Sequence, residues 1–189
     1  LHGMCEYIDR YDHIFSAVAE KGFVCCGYDN LGHGKTVRNE DELGFIAHRN
    51  GWRYLVNDVK AFEDSVKKLF PGKPMYLMGH SMGSFISRIF AENYGGDIEK
   101  FIICGTGGPN PAAPFGLVIT DIISLLFGEK HRSKLINRLA FGAYNKRFEG
   151  DSDFSWVTSD KEVVSKYEAD KFCNFKFTAS AMHDLVKLN

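Results

Sequence analysis

The chain has 189 residues, 44% apolar and 25% charged, with a net charge of -1. That suits one folded domain, or a domain with an insertion, and excludes recruitment of nucleic acid by bulk electrostatics. The longest apolar stretch, Phe115 to Phe127, contains Asp121 and is too short to span a bilayer, so no stable membrane insertion is expected.

In chain order, Tyr7 to Lys21 reads as a helix, with Tyr7, Ile8, Tyr11, Ile14, Phe15 and Val18 at helical spacing and Gly22 as its stop. Phe23 to Asp29 reads as a buried strand, and the polar, glycine-bearing stretch to Asn50 as a long loop. Trp52 to Phe70 is helical, with Trp52, Leu55, Val59, Phe62, Val66 and Leu69 on one face, and Pro71-Gly72-Lys73-Pro74 ends it. Met75 to Met78 is a second strand, Met82 to Tyr94 a helix, and Phe101 to Cys104 a third strand. Alternating helix and strand predicts an α/β fold with a parallel sheet. Gly105 to Pro111 is a breaker-rich boundary, and beyond it the patterns are helical. The expected organisation is therefore a core over residues 1–108 and a mostly helical insertion over 109–189.

Five cysteines, Cys5, Cys25, Cys26, Cys104 and Cys173, form no Cys-x-x-Cys pair, and three lie in apolar runs. That usage, with no signal peptide read at the start, points to a reducing, cytoplasmic setting. The chain starts at Leu1 inside a loop-like motif and stops at Asn189 within an element, so it reads as a piece of a longer protein.

Gly79-His80-Ser81-Met82-Gly83 lies between a predicted strand and a predicted helix. A serine hydroxyl on such a sharp turn is pushed out toward substrate and base, and Gly79 and Gly83 remove collisions at the turn. Ser81 is thus the candidate nucleophile. The helix opening at Met82 aims free N–H groups and its positive dipole end at the site, which makes the Met82 N–H a candidate oxyanion donor. His2-Gly3-Met4 precedes the first helix, where a second donor is required; Gly3 permits close approach and the Met4 N–H is the candidate. The blander readings are a tight turn whose serine caps a helix, and an ordinary turn at His2-Gly3-Met4.

Together His2-Gly3-Met4-Cys5-Glu6 with Arg10-Tyr11, then Asp29-Asn30-Leu31-Gly32-His33-Gly34, then Gly79 to Gly83 resemble the α/β-hydrolase superfamily. The nearest look is to its monoacylglycerol lipase and lysophospholipase-like branch, often grouped with serine aminopeptidases. Gly105 to Gly108 and Trp156 to Phe177 look like bacterial members. The resemblance implies a partial α/β-hydrolase sheet with helices on both faces and a helical cap from about Pro109. It implies Ser81 as nucleophile, Met4 and Met82 N–H groups as oxyanion hole, no cofactor, and a small lipid-like ester as substrate. The apolar run from Leu117 to Phe127 suits an acyl channel, or equally a packing face. Cys5 stands where the family usually has Gly, and Thr36 where Ser is common; neither touches the chemistry directly.

In this fold the acid and the histidine follow the serine in that order. By resemblance both lie beyond the cap, outside residues 1–189, and the isolated chain is expected to hydrolyse little. Order alone also allows a triad ending in His183, with Asp121, Asp160 or Asp170 before it; His131 also follows Ser81. His33 is expected to stabilise its own loop, and His80 to be structural or to line the substrate site. Gly32 to Thr36 fails as a phosphate loop because Asp29 holds the place of its first glycine, and Asn110 breaks a dinucleotide loop at Gly105. His2 and Cys5 lack a second ligand pair, so no metal is expected. Rival readings are an aminopeptidase or general esterase, and a non-catalytic binder of apolar ligands. Glu149, Asp151 and Asp153, which could read a substrate amine, look like a solvated loop.

Overall fold

The computed structural model describes residues 1–148 and 152–189, with the side chain of residue 147 also outside that description. The expectation for Glu149 and Asp151 therefore lies outside the described residues. Two parallel strands, β1 (Tyr76–His80) and β2 (Lys100–Cys104), pair in the register Tyr76 to Lys100 through His80 to Cys104. Leu1 lies along the other edge of β1: its amino group donates to the Met78 carbonyl at 2.5 Å, and its carbonyl accepts from the His80 N–H at 3.0 Å.

Two of the expected elements change. The first helix, α1, covers only Asp12–Ala19, and Ile8–Tyr11 is a 3-10 turn before it. That turn forms because Asp29 accepts the Ile8 N–H at 2.8 Å and fixes the chain locally. Phe23 to Asp29 is not a buried strand: it joins no ladder among the described residues, and Val24 is 64% exposed. A strand needs a hydrogen-bonded neighbour, and this segment has none among the described residues. The sheet accordingly has two described strands rather than three.

The other elements follow the pattern closely. Helix α2 spans Gly51–Leu69 and α3 spans Met82–Tyr94. The buried stripe of α2 is Leu55, Val56 and Val59, while Leu69 is exposed, so the inward face is narrower than its apolar spacing. After β2 come α4 (Ala113–Phe127), α5 (Lys134–Phe141), α6 (Lys161–Ala169) and α7 (Ala179–Leu188). Side-chain caps at Ser133, Asp160 and Thr178 satisfy N–H groups that open α5, α6 and α7. On α4 only Thr120 and Ile123 are buried; Phe115, Val118, Ile122, Leu125, Leu126 and Phe127 face outward.

The core joins α2 and α3 to α7. Leu55, Met82, Ile86 and Phe90 are fully covered, with Ala181, Met182 and Leu188 from α7 against them. Each large side chain so buried contributes about 2 kcal/mol through removed apolar surface. A polar contact sits in the same seam. Asn50, the residue before α2, is left-handed and makes no side-chain cap. Asp184 of α7 takes the place beside the N–H groups of Gly51 and Trp52.

Asp184 is 2% exposed and its Oδ2 finds no partner in hydrogen-bonding geometry. Burial outweighs the helix N–H groups and pushes its carboxyl up to about 6 from an ordinary 3.8. The folded chain therefore holds a proton there that the unfolded chain has lost, and stability falls as pH rises from about 3.8 to about 6. Asp184→Asn keeps an acceptor at the start of α2 without the buried charge. It is expected to raise stability at pH 7 by about 2 kcal/mol, measured by urea unfolding, and to leave stability below about pH 4 unchanged. Destabilisation at pH 7 would show that the charge at the helix start matters more than its burial.

Candidate active site

Ser81 connects β1 to α3 with φ 51° and ψ -120°. A non-glycine residue there costs on the order of 1–3 kcal/mol, so its surroundings must hold it. The Ser81 N–H donates to the Cys104 carbonyl at 2.9 Å, and the Ser81 carbonyl accepts from the Ser84 N–H at 2.8 Å and the Ser84 hydroxyl at 2.6 Å. The two glycines are packing requirements. A Cβ on Gly79 would run into the Gly83 carbonyl and the Ser87 hydroxyl, and one on Gly83 would lie 2.7 Å from the His2 carbonyl oxygen. Gly3 backs the serine: a Cβ there would fall 3.1 Å from Ser81 Cβ.

The loop His2 to Glu6 is fixed one peptide at a time. The Gly3 N–H donates to Glu6 Oε1 at 2.5 Å, and the Cys5 N–H donates to His33 Nε2 at 3.3 Å. His2 Nδ1 contacts the Gly3 carbonyl at 2.8 Å, while His2 Nε2 accepts the Asn30 N–H at 2.9 Å. Because Nε2 is the acceptor, Nδ1 carries the proton and donates. His33 repeats the arrangement, with Nδ1 on the Leu31 carbonyl at 2.9 Å. The neighbouring N–H groups are thus consumed, and among the described residues the Met4 N–H has no acceptor. Met82 is the first residue of α3, so its N–H has no partner within the helix either.

Both imidazoles are fully buried, and burial lowers both pKa values, that of His33 to about 3. The loop Asp29 to Thr36 supports them. Asp29 accepts the N–H groups of Ile8 and Lys35, and Thr36 Oγ1 donates to the Asn30 carbonyl at 2.9 Å. A Cβ on Gly34, where φ is +45°, would overlap the Asp29 carboxylate. His33 therefore stabilises its loop, and it also receives the Cys5 N–H.

Glu6 stands in the sequence only as part of a motif, yet it is the hub beside Ser81. It accepts from Gly3 N–H and from Tyr11 Oη at 2.8 Å, faces His80 Nδ1 at 3.2 Å, and pairs with Arg10 at 3.8 Å. Burial opposes its charge, but the hydrogen bonds from His80, Tyr11 and Gly3 win and hold the carboxyl below its ordinary value. The hydrogen bond to Glu6 in turn raises the His80 pKa. Cys5 stands at φ +54°, where a glycine would sit without strain, and its N–H is part of the site's frame. The signal was present in the sequence as a departure from glycine.

The histidines after Ser81 are engaged elsewhere. His183 Nδ1 lies 3.0 Å from Asp121 Oδ1 and 3.1 Å from Thr120 Oγ1, joining α7 to α4. His131 stacks on Phe127 at 5.1 Å. Asp160 caps α6, and Asp170 accepts from Tyr7 Oη at 2.8 Å. None of these contacts brings a base to Ser81.

A parallel βαβ unit, a strained serine at the strand-to-helix turn and free N–H groups beside it are those of an α/β-hydrolase core. Solved structures agree: a thermostable carboxyl esterase from Bacillus coagulans superposes with a TM-score of 0.89 at 26% identity, over 100% of this chain and 61% of that one. A lipase captured in an open form gives 0.84 at 25% identity, over 99% of this chain and 62% of that one. The chain belongs to the serine aminopeptidase S33 family, which it matches over residues 1–189. Among curated relatives, the monoacylglycerol lipase of Mycolicibacterium smegmatis is 24% identical over 89% of this chain and 53% of its own length. The human monoglyceride lipase is 26% identical over 66% of this chain and 40% of its own length. The chain spans about half the length, or less, of these relatives.

Protonating His2 or His33 removes the acceptor that holds Asn30 or Cys5. The folded pKa values lie below that of an unfolded histidine, so this stability is complete above pH 6.5 and is lost as pH falls toward about 3. In an NMR titration of the ring protons, His33 is expected to stay neutral, as the Nδ1–H tautomer, down to about pH 3. Titration near 6.5 in the folded state would contradict the assigned frame.

Proposed function

We propose that the protein is a serine hydrolase that cleaves carboxylic esters of lipid-like substrates, of the monoacylglycerol or lysophospholipid type. The observation that carries this is the left-handed Ser81 between β1 and α3, backed by Gly3, with the Met4 and Met82 N–H groups lacking an acceptor among the described residues. Ser81 Oγ attacks the ester carbonyl, its proton passes to a base, and the alcohol leaves to give an acyl-enzyme. The developing oxyanion is received by the two N–H groups, already oriented and so needing no reorganisation. Glu6, Tyr11 and His80 form a polar wall beside the serine that suits the alcohol side of the ester.

We assign the base and its orienting carboxylate to chain outside residues 1–189, since His183 and His131 are occupied on the helical region. Residues 109–189 are read as a cap whose apolar α4 meets the acyl chain. The names of the relatives support a lipid ester over a peptide. No helix among the described residues is long and apolar enough to cross a membrane. The unpaired thiols fit a reducing, cytoplasmic setting.

In the full natural chain, a fluorophosphonate probe is expected to label Ser81, and Ser81→Ala to abolish labelling and lower kcat by about a million-fold. Labelling at another residue, or turnover surviving Ser81→Ala, would refute the assignment. Robust ester turnover by residues 1–189 alone, lost in His183→Ala, would refute the placement of the base.

A further inference from the structure

Cys5 holds its left-handed conformation immediately after the Met4 N–H, and three contacts restrain it. His33 receives its N–H, its Sγ lies 3.3 Å from the Phe175 carbonyl, and the Tyr167 hydroxyl donates to its carbonyl at 2.6 Å. Two of the three come from the segment that includes α6 and the turn after it. That segment clasps the same loop twice more: Tyr7 Oη donates to Asp170, and the Arg10 guanidinium lies 5.0 Å over the Tyr167 ring. Tyr167 is 8% exposed, so its hydroxyl is committed to this bond rather than shared with water.

We propose that Tyr167 is a positioning residue for the oxyanion hole, acting through the Cys5 backbone; this rests on the reading of the Met4 N–H as an oxyanion donor. The physics is that of two peptide planes meeting at one strained residue. His33 fixes the plane before Cys5, and Tyr167 fixes the plane after it. With both planes held, φ of Cys5 stays at +54°, and Met4 is fixed between these planes and the Gly3 carbonyl that His2 holds, which keeps its N–H in place. Without the Tyr167 bond, a cysteine relaxes toward negative φ, because the left-handed region is costly for any residue with a Cβ. Met4 is then held on one side only, at the Gly3 carbonyl bound by His2, and its N–H shifts from the developing charge. The helical region therefore completes the transition-state site as well as covering it.

The test is Tyr167→Phe in the full natural chain, which deletes one hydroxyl. With p-nitrophenyl octanoate as substrate, kcat is expected to fall about tenfold with KM changed less than about twofold. Affinity for an alkyl trifluoromethyl ketone, whose adduct with Ser81 Oγ carries an oxyanion, should fall in parallel with kcat. Tyr7→Phe removes a neighbouring clasp that does not touch Cys5 and should leave kcat within about twofold. Cys5→Gly accepts positive φ without strain. In that background Tyr167→Phe should cost less than about threefold, a comparison that remains readable if the single variant does not fold. Unchanged kcat and ketone affinity in Tyr167→Phe, an equal loss in Tyr7→Phe, or an undiminished loss in the Cys5→Gly background would each overturn the proposal. If Ser81→Ala keeps its activity, the underlying reading fails instead.

Discussion

The geometry around Ser81 depends on two neutral, buried imidazoles. His2 and His33 stand edge to face with ring centroids 5.2 Å apart, and each donates through Nδ1 to a carbonyl and accepts through Nε2 from an N–H. Four backbone groups from two distant loops are satisfied at once. A protonated ring could donate at both nitrogens but accept at neither, so the same burial that lowers the pKa values also preserves the frame. The Gly3–Met4 peptide is turned by this frame. Its carbonyl is bound by His2, and its N–H is left over.

Among the described residues, two of the three non-glycine residues at positive φ lie beside the proposed chemistry, and the third, Asn50, precedes α2. Cys5 and Ser81 are left-handed without being glycine, and both border the free N–H groups. Each is held by contacts from several elements: Ser81 by β2 and α3, Cys5 by the Asp29–Thr36 loop and the Tyr167–Phe175 segment. Such residues persist only where the surroundings over-determine them. The rest of the fold supplies that rigidity, chiefly the α2, α3 and α7 seam with Leu55, Ile86 and Phe90 at its centre.

Much of this was legible in the residues. Met82 to Tyr94 was bounded at both ends, because strong periodicity began at a motif and ended at two glycines. The serine turn and its glycines were legible because steric demands at a strand-to-helix turn write themselves as small residues. Phe23 to Asp29 was not, since a run of apolar residues carries no information about whether a neighbouring strand is present. The hub role of Glu6 was equally hidden: it depends on Tyr11 and His80 arriving from five and 74 residues away. Tyr167 was hidden for the same reason, its partner being 162 residues distant.

In the proposed reaction a developing negative charge at Ser81 is received by the Met4 and Met82 N–H groups. The most direct measurement is a crystal structure of the full natural chain after reaction with a long-chain alkyl fluorophosphonate. Phosphorus is expected on Ser81 Oγ, with the phosphoryl oxygen within about 3 Å of both nitrogens. A covalent bond at another residue, or a phosphoryl oxygen turned away from Met4 while that peptide keeps its place, would contradict it.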